Sequence, residues 1–251
     1  MTLALDVGSD PSARRLAVLH RNGAEPAVVW LGGFRSDMRA TKAEALDAWA
    51  VRAGRAFLRF DYSGHGESGG RFEDGTISAW LEDALAVLAR FGSGRPILVG
   101  SSMGGWLALL AARALAGRPS APAGLVLIAP AVDFTERLMW DTFSDEVRRT
   151  IDRDGVFHQP SAYSPEPYPI TRGLIADGQR HLLLGAPIAT GCPVHILQGM
   201  DDSDVPWRHA LALVEHLAGE NVSLTLVKDG DHRLSRPEDL DRLVRAVEAI
   251  A

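Results

Sequence analysis

Ile97-Leu98-Val99-Gly100-Ser101-Ser102-Met103-Gly104-Gly105-Trp106 decides the fold. An apolar run enters Gly-x-Ser-x-Gly, and Leu107-Ala108-Leu109-Leu110-Ala111-Ala112 continues as a good helix former. That sequence is a buried strand, a sharp turn and a helix, with a serine at the apex. Such a turn needs small residues two before and two after the serine, so that strand and helix approach closely while the hydroxyl points away from the sheet. Gly100 and Gly104 meet that need around Ser102, whereas Ser101 has Val99 and Met103 in its flanking positions. The strand-to-helix context separates this motif from a chance match in a chain with 25 glycines.

Working outward, strands and helices alternate. Leu16–His20, Ala27–Leu31 and Ala56–Phe60 read as strands, the first followed by an Asn22-Gly23 turn. Thr41-Lys42-Ala43-Glu44 has the form of a capping box. Behind it Ala43, Leu46, Trp49, Ala50 and Ala53 recur at helical spacing until Gly54. Thr76 opens a second helix with Ile77, Trp80, Leu81, Ala84, Leu88 and Phe91 on one face. After the central turn come a buried strand at Leu125–Ile128, another at Val194–Leu197, a helix from about Pro206 to Ala218, a strand at Val222–Val227 and a terminal amphipathic helix. Strands separated by helices imply a mostly parallel sheet covered on both faces. From Ala131 to Pro187 the alternation stops. No convincing strand is read there, only short helical patterns, a proline-rich stretch and the aromatics Trp140, Phe143, Phe157, Tyr163 and Tyr168. The expected organisation is one α/β domain over residues 1–251 with a small helical cap inserted at about 131–187.

Composition bounds the function. With 46% hydrophobic and 23% charged residues the chain has an ordinary globular make-up. Its formal charge of −6 leaves no basic footprint for nucleic acid. No apolar run approaches the roughly 20 residues of a membrane span. Early acidic residues, Asp6 and Asp10, argue against a signal or transit peptide, so a cytoplasmic protein is expected. The one cysteine, Cys192, excludes an internal disulfide and reads as structural.

A serine nucleophile needs a base to take its proton and an acid to orient that base. On strand-turn-helix folds of this type the chain order is serine, acid, histidine, with the last two on loops at strand ends. Gln198-Gly199-Met200-Asp201-Asp202-Ser203-Asp204 follows one late strand, and Lys228-Asp229-Gly230-Asp231-His232 follows the last. Of eight histidines, His232 alone combines a loop setting with the required order; His65 faces the same edge but precedes Ser102. Asp201, Asp202 and Asp204 compete for the acid, with Asp202 preferred and Asp204 second. Backbone amides of Met103 and Phe34, the latter after Gly32-Gly33, are the candidate oxyanion donors. No metal or organic cofactor is expected.

With these residues in place the chain resembles the α/β-hydrolase superfamily over nearly its whole length. The turn around Ser102, Asp61-x-x-Gly64-x-Gly66-x-Ser68, and the Asp202 and His232 loops carry the likeness. Gly32-Gly33 stands where the superfamily frequently has His-Gly. A narrower resemblance is to the mitochondrial abhydrolases that act as acyl-protein thioesterases and acyl-glucuronide esterases. It runs through Leu31-Gly32-Gly33-Phe34-x-Ser36-Asp37-Met38, Arg59-Phe60-Asp61-Tyr62-Ser63-Gly64, Gly199-Met200-x-Asp202-x-x-Val205-Pro206-Trp207 and Asp231-His232-Arg233. The likeness implies an α/β-hydrolase fold and supports Asp202 over its neighbours. It implies a serine hydrolase of small-molecule acyl esters or thioesters, with acylated protein as a further substrate class. The rivals are a general carboxylesterase or carbon–carbon bond hydrolase on the same residues, and a non-catalytic receptor that keeps the pocket. A dehalogenase is disfavoured, because it would place aspartate where Ser102 stands.

Overall fold

The structure is a computed structural model that describes residues 2–9, 13–161, 165–219 and 221–250; Asp10 and Tyr163 lie outside them. Strands are β1 (Leu3–Val7), β2 (Arg14–Arg21), β3 (Ala24–Leu31), β4 (Arg55–Phe60), β5 (Ile97–Ser101), β6 (Gly124–Ile128), β7 (Val156–Gln159), β8 (Tyr168–Thr171), β9 (Val194–Gly199) and β10 (Val222–Val227). Helices are α1 (Thr41–Ala53), α2 (Ile77–Phe91), α3 (Met103–Ala114), α4 (Asp145–Asp154), α5 (Arg172–Gly178), α6 (Trp207–His216) and α7 (Pro237–Glu248).

Eight strands form one sheet in the order β1-β2-β4-β3-β5-β6-β9-β10. Pairing is antiparallel for β1–β2 and β2–β4 and parallel from β4 to β10. Successive side chains of a strand point to opposite faces, so each apolar strand feeds two cores. Ile97 and Val99 of β5 join Leu46 and Trp49 of α1 and Leu243 and Val247 of α7. Leu98, between them, joins Trp80 of α2, Trp106 and Leu110 of α3 and Leu213 of α6. The apolar runs read as two-sided buried strands are therefore what they looked like.

The central crossover is close. A Cβ on Gly104 would overlap the carbonyl oxygens of Leu31 and Gly32, and one on Gly100 would overlap the Gly104 carbonyl. Backbones of β3, β5 and α3 thus touch at the head of the sheet, which only glycine permits.

The segment between β6 and β9 carries a π-helical turn at Thr135–Met139, then α4, the β7–β8 hairpin and α5. Its two ends are tied to each other, Asp133 accepting from the Leu183 and Leu184 amides, both at 2.8 Å, and α5 is tied to the sheet domain. Asp177 of α5 accepts from the Ser78 amide at 2.7 Å, at the start of α2, and His181 Nε2 meets the Ser78 hydroxyl at 2.7 Å.

One strand goes unread in the sequence and three expectations need correction. The N-terminal residues form β1, five residues with Leu3, Leu5 and Val7 facing inward, Ala4 and Asp6 outward, paired with β2. Residues 131–187 contain two strands, β7 and β8, at four residues each too short for a period to show, with Pro169 inside the second. The proposed capping box at Thr41 is absent: α1 is capped by Ala40 without a side-chain bond, and Glu44 turns to Arg59 at 2.6 Å instead. Ala53 is exposed rather than on the buried face.

Replacing Gly104 with alanine is expected to destabilise the fold by about 1–3 kcal/mol through backbone overlap. That lowers Tm by about 2–4 °C for each kcal/mol in a domain of this size. Gly185→Ala, whose Cβ would meet nothing within 4 Å, leaves Tm unchanged in the same calorimetric scan.

Candidate active site

Ser102 occupies the turn between β5 and α3 with φ 54 and ψ −118, a conformation costly for a residue with a Cβ. The turn is pinned rather than loose. The Ser102 amide donates to Ile128 of β6 at 2.9 Å, and its carbonyl accepts from Gly105 at 2.9 Å and Ala131 at 3.1 Å. Met103 is the first residue of α3, where an amide has no partner within the helix and the helix dipole is positive.

The loop after β3 lies against this turn. A Cβ on Gly33 would sit 3.4 Å from the Ser102 Cβ. The Phe34 ring packs edge-on against Phe72 (4.9 Å), Phe134 (5.7 Å), Trp80 (5.9 Å) and Tyr168 of β8 (6.1 Å). Four residues on, Met38 donates its amide to Asp61 Oδ1 at 2.6 Å, while Asp61 Oδ2 accepts from the Glu67 amide at 2.8 Å. Asp61 thereby ties the loop after β3 to the loop after β4, and burial raises its pKa.

Asp202 and His232 follow β9 and β10, at the same C-terminal edge as Ser102. The two loops touch where a Cβ on Gly199 would overlap the Gly230 carbonyl, and the Asp201 amide donates to that carbonyl at 2.9 Å. His232 Nδ1 and Asp202 Oδ2 are 2.9 Å apart. The carboxylate accepts, so Nδ1 carries the proton and Nε2 is the basic nitrogen. Asp202 is buried and fully engaged. Oδ1 accepts from the Asp204 and Val205 amides at 2.9 and 2.8 Å, and Oδ2 also accepts from Gln198 Nε2 at 3.1 Å. Asp201 and Asp204 are exposed. Ligand atoms of Asp202, Asp204 and His232 lie within 4.8 Å of one another. With both Asp202 oxygens already accepting hydrogen bonds, that grouping is accounted for by the acid–base pair and an exposed neighbour.

Three other histidines have partners away from Ser102. His195 meets Thr225 across β9 and β10, His209 bonds the Val132 carbonyl and His216 the Ala212 carbonyl of its own helix. Two supporting residues escaped the sequence reading. Gln198 ends a buried strand, and its amide nitrogen reaches Gly199 O, Asp202 Oδ2 and Val205 O, which fixes the orientation of the amide. A polar side chain closing an apolar run was its visible signal. Lys42 of α1 donates to the Arg233 carbonyl, beside His232; nothing in the sequence links positions so far apart. Of the aromatics between β6 and β9, Phe143 and Phe157 pack on each other at 6.0 Å, in a small core with Ile151, Ile170 and Ile175. Tyr168 and Phe134 are the ones that reach Phe34.

Residues 23–246 match the family described as the alpha/beta hydrolase family. The bovine mitochondrial palmitoyl-protein thioesterase ABHD10 is 36% identical over 241 residues, 96% of this chain and 78% of that protein. A solved structure from Agrobacterium vitis S4 is 53% identical with a TM-score of 0.97, covering 100% of this chain and 98% of that one. The mouse alpha/beta hydrolase domain-containing protein 10 is 33% identical with a TM-score of 0.88, covering 99% and 98%. The mammalian relatives are named mitochondrial, which overturns the cytoplasmic location expected from the first residues. Asp6 reports the local structure, the outward face of β1, and not the compartment.

Gln198→Leu is expected to destabilise by about 1–3 kcal/mol, since it leaves the buried Gly199 and Val205 carbonyls without their donor. A urea melt checks this through a lowered midpoint at unchanged slope.

Proposed function

The chain belongs to the alpha/beta hydrolase family, and on that premise we propose that it is a serine hydrolase of acyl esters and thioesters working through Ser102, His232 and Asp202. One observation carries the reading. The 2.9 Å contact between His232 Nδ1 and Asp202 stands at the strand edge that also presents Ser102 in its strained turn.

In this reading the reaction runs in two halves. His232 Nε2 takes the Ser102 proton as the hydroxyl oxygen attacks the acyl carbon. Asp202, held by four hydrogen bonds, keeps Nδ1 protonated and stabilises the imidazolium that forms. The Met103 and Phe34 amides receive the developing oxyanion. The leaving alcohol or thiol departs with the proton from His232, and the acyl group stays on Ser102. Water then loses a proton to His232 as its oxygen attacks the acyl carbon; the bond from that carbon to the Ser102 oxygen breaks, His232 returns the proton to that oxygen, and the acid leaves.

Residues 131–187 act in this reading as a cap within one domain of 251 residues. Tyr168 and Phe134 line an apolar wall beside Phe34, suited to a hydrocarbon acyl chain. The mammalian relatives are named palmitoyl-protein thioesterases, which favours a long-chain thioester and admits an acylated protein as its source. In this reading Met103 and Phe34 act through their amides, while their side chains pack in the core beside them.

kcat/KM measured on matched oxygen-ester and thioester series of increasing acyl length is expected to rise with length and to favour thioesters. Ser102→Ala lowers it about 10³-fold or more on every member. Ser102-dependent turnover confined to short oxygen esters replaces the thioesterase reading with a general carboxylesterase. Turnover that survives Ser102→Ala contradicts the mechanism. Asp202→Asn is expected to cut kcat by about 10²–10⁴-fold with the protein folded, whereas Asp204→Asn stays within about threefold of the parent.

A further inference from the structure

The loop that carries the Phe34 amide is not shaped by its own sequence alone. Arg35, next in the chain, has φ 59, uncommon for a residue with a Cβ, inside a turn closed by the Ser36 amide on the Gly33 carbonyl at 3.1 Å. Its amide donates to His65 Nε2 at 3.2 Å. His65 belongs to the loop after β4, and its Nδ1 lies 3.2 Å from the Ser63 carbonyl. A carbonyl only accepts, so Nδ1 carries the proton and Nε2 offers a lone pair to Arg35.

The His65 ring is 5% exposed and stands edge-on to Phe72 at 5.1 Å, Trp80 at 5.3 Å and Tyr62 at 5.7 Å. Phe72 and Trp80 are also walls of the Phe34 ring, at 4.9 and 5.9 Å. One aromatic cage therefore holds both the residue that presents the amide and the residue that fixes the next peptide. The Arg35 N–H belongs to the peptide that follows Phe34, so rotating it away from Nε2 turns the chain at Phe34 and moves that residue's own amide.

We propose that His65 is a positioning residue for hydrolysis, accepting the Arg35 amide through Nε2 and so holding the Phe34 amide where the oxyanion forms. The proposal rests on the reading of Ser102 as nucleophile and Phe34 as oxyanion donor. Burial pushes the His65 pKa down to about 4, so the ring keeps its acceptor at every pH where a histidine base works on Ser102. Chain order sets His65 aside as the base of the reaction. Its position gives it a different task, as a fixed hydrogen-bond acceptor with no proton to exchange.

The test separates the acceptor from the ring. His65→Phe keeps an aromatic ring in the cage and removes the acceptor. His65→Gln returns an acceptor oxygen near the place of Nε2. Three quantities are read in each variant: Tm, kcat and KM on p-nitrophenyl butyrate, and the inhibition constant of an alkyl trifluoromethyl ketone. Such ketones add to the serine and place an oxyanion in the site. Loss of a whole oxyanion donor costs about 10²–10³ in kcat, and a displaced donor costs part of that. His65→Phe is expected to lower kcat about 10–100-fold with KM within about threefold, and to weaken the ketone by a similar factor. His65→Gln is expected to restore much of both.

Unchanged kcat and ketone affinity in His65→Phe overturn the proposal and leave His65 as packing. A fall in Tm and activity together, with no recovery in His65→Gln, overturns it in favour of a structural role. Ser102→Ala, run alongside, tells the two readings apart: activity that persists without Ser102 removes the nucleophile itself, whatever the His65 variants do.

Discussion

Direct contact between the backbones of β3, β5 and α3 is the constraint on which the rest depends. Where Gly104 faces the Leu31 carbonyl and Gly100 faces Gly104, no side chain fits. The crossover is thereby compressed into a turn so sharp that Ser102 must adopt φ 54. The same compression lays the loop after β3 against the serine, with Gly33 beside the Ser102 Cβ. Ser102 and the loop that leads into Phe34 are thus placed by one steric fact. A second contact of the same kind, Gly199 against Gly230, brings the Asp202 and His232 loops together at the neighbouring strand ends.

Loops set by backbone contact still need their remaining polar groups satisfied, and buried side chains do this from behind. Asp61 gathers the Met38 and Glu67 amides, Gln198 gathers the Asp202 carboxylate with two carbonyls, and Asp133 gathers Leu183 and Leu184. Burial raises the pKa of Asp61 and of Asp133, which is the expected sign for carboxylates removed from water. Their role is to accept hydrogen bonds in a fixed direction, and the desolvation is offset by those bonds. Asp202 shares this device and adds to it the one contact with His232. The stretches of loop around Met38, Glu67, Asp204 and Val205 are thus each held by a buried carboxylate.

The fold was legible because its central strands are buried on both sides and end in glycine or turn residues, so their apolar runs stand out. The loops that carry Ser102, Asp202 and His232 were legible for the same reason: strand ends mark them. What remained hidden depends on contacts between distant positions. Strand β1 exists through its pairing with β2, and β7 and β8 through each other, each too short to announce a period. The start of α1 shifted by one residue because Glu44 found Arg59 in space rather than Thr41 in sequence. His65 was visible as a residue near the site but not in its relation to Arg35, since chain order tests only for a base. Among Asp201, Asp202 and Asp204 the sequence ranked but could not see burial, and burial is what distinguishes Asp202.

All of this converges on one claim, that Ser102 is an activated nucleophile. Labelling the folded protein with a fluorophosphonate and mapping the modified peptide by mass spectrometry tests it most directly, because the reagent reports activation without requiring the natural substrate. The account predicts stoichiometric addition at Ser102, with Ser101 and Cys192 unmodified, and loss of the label in a folded His232→Ala variant. A folded wild-type protein that takes no label, or that takes it at another residue, contradicts it.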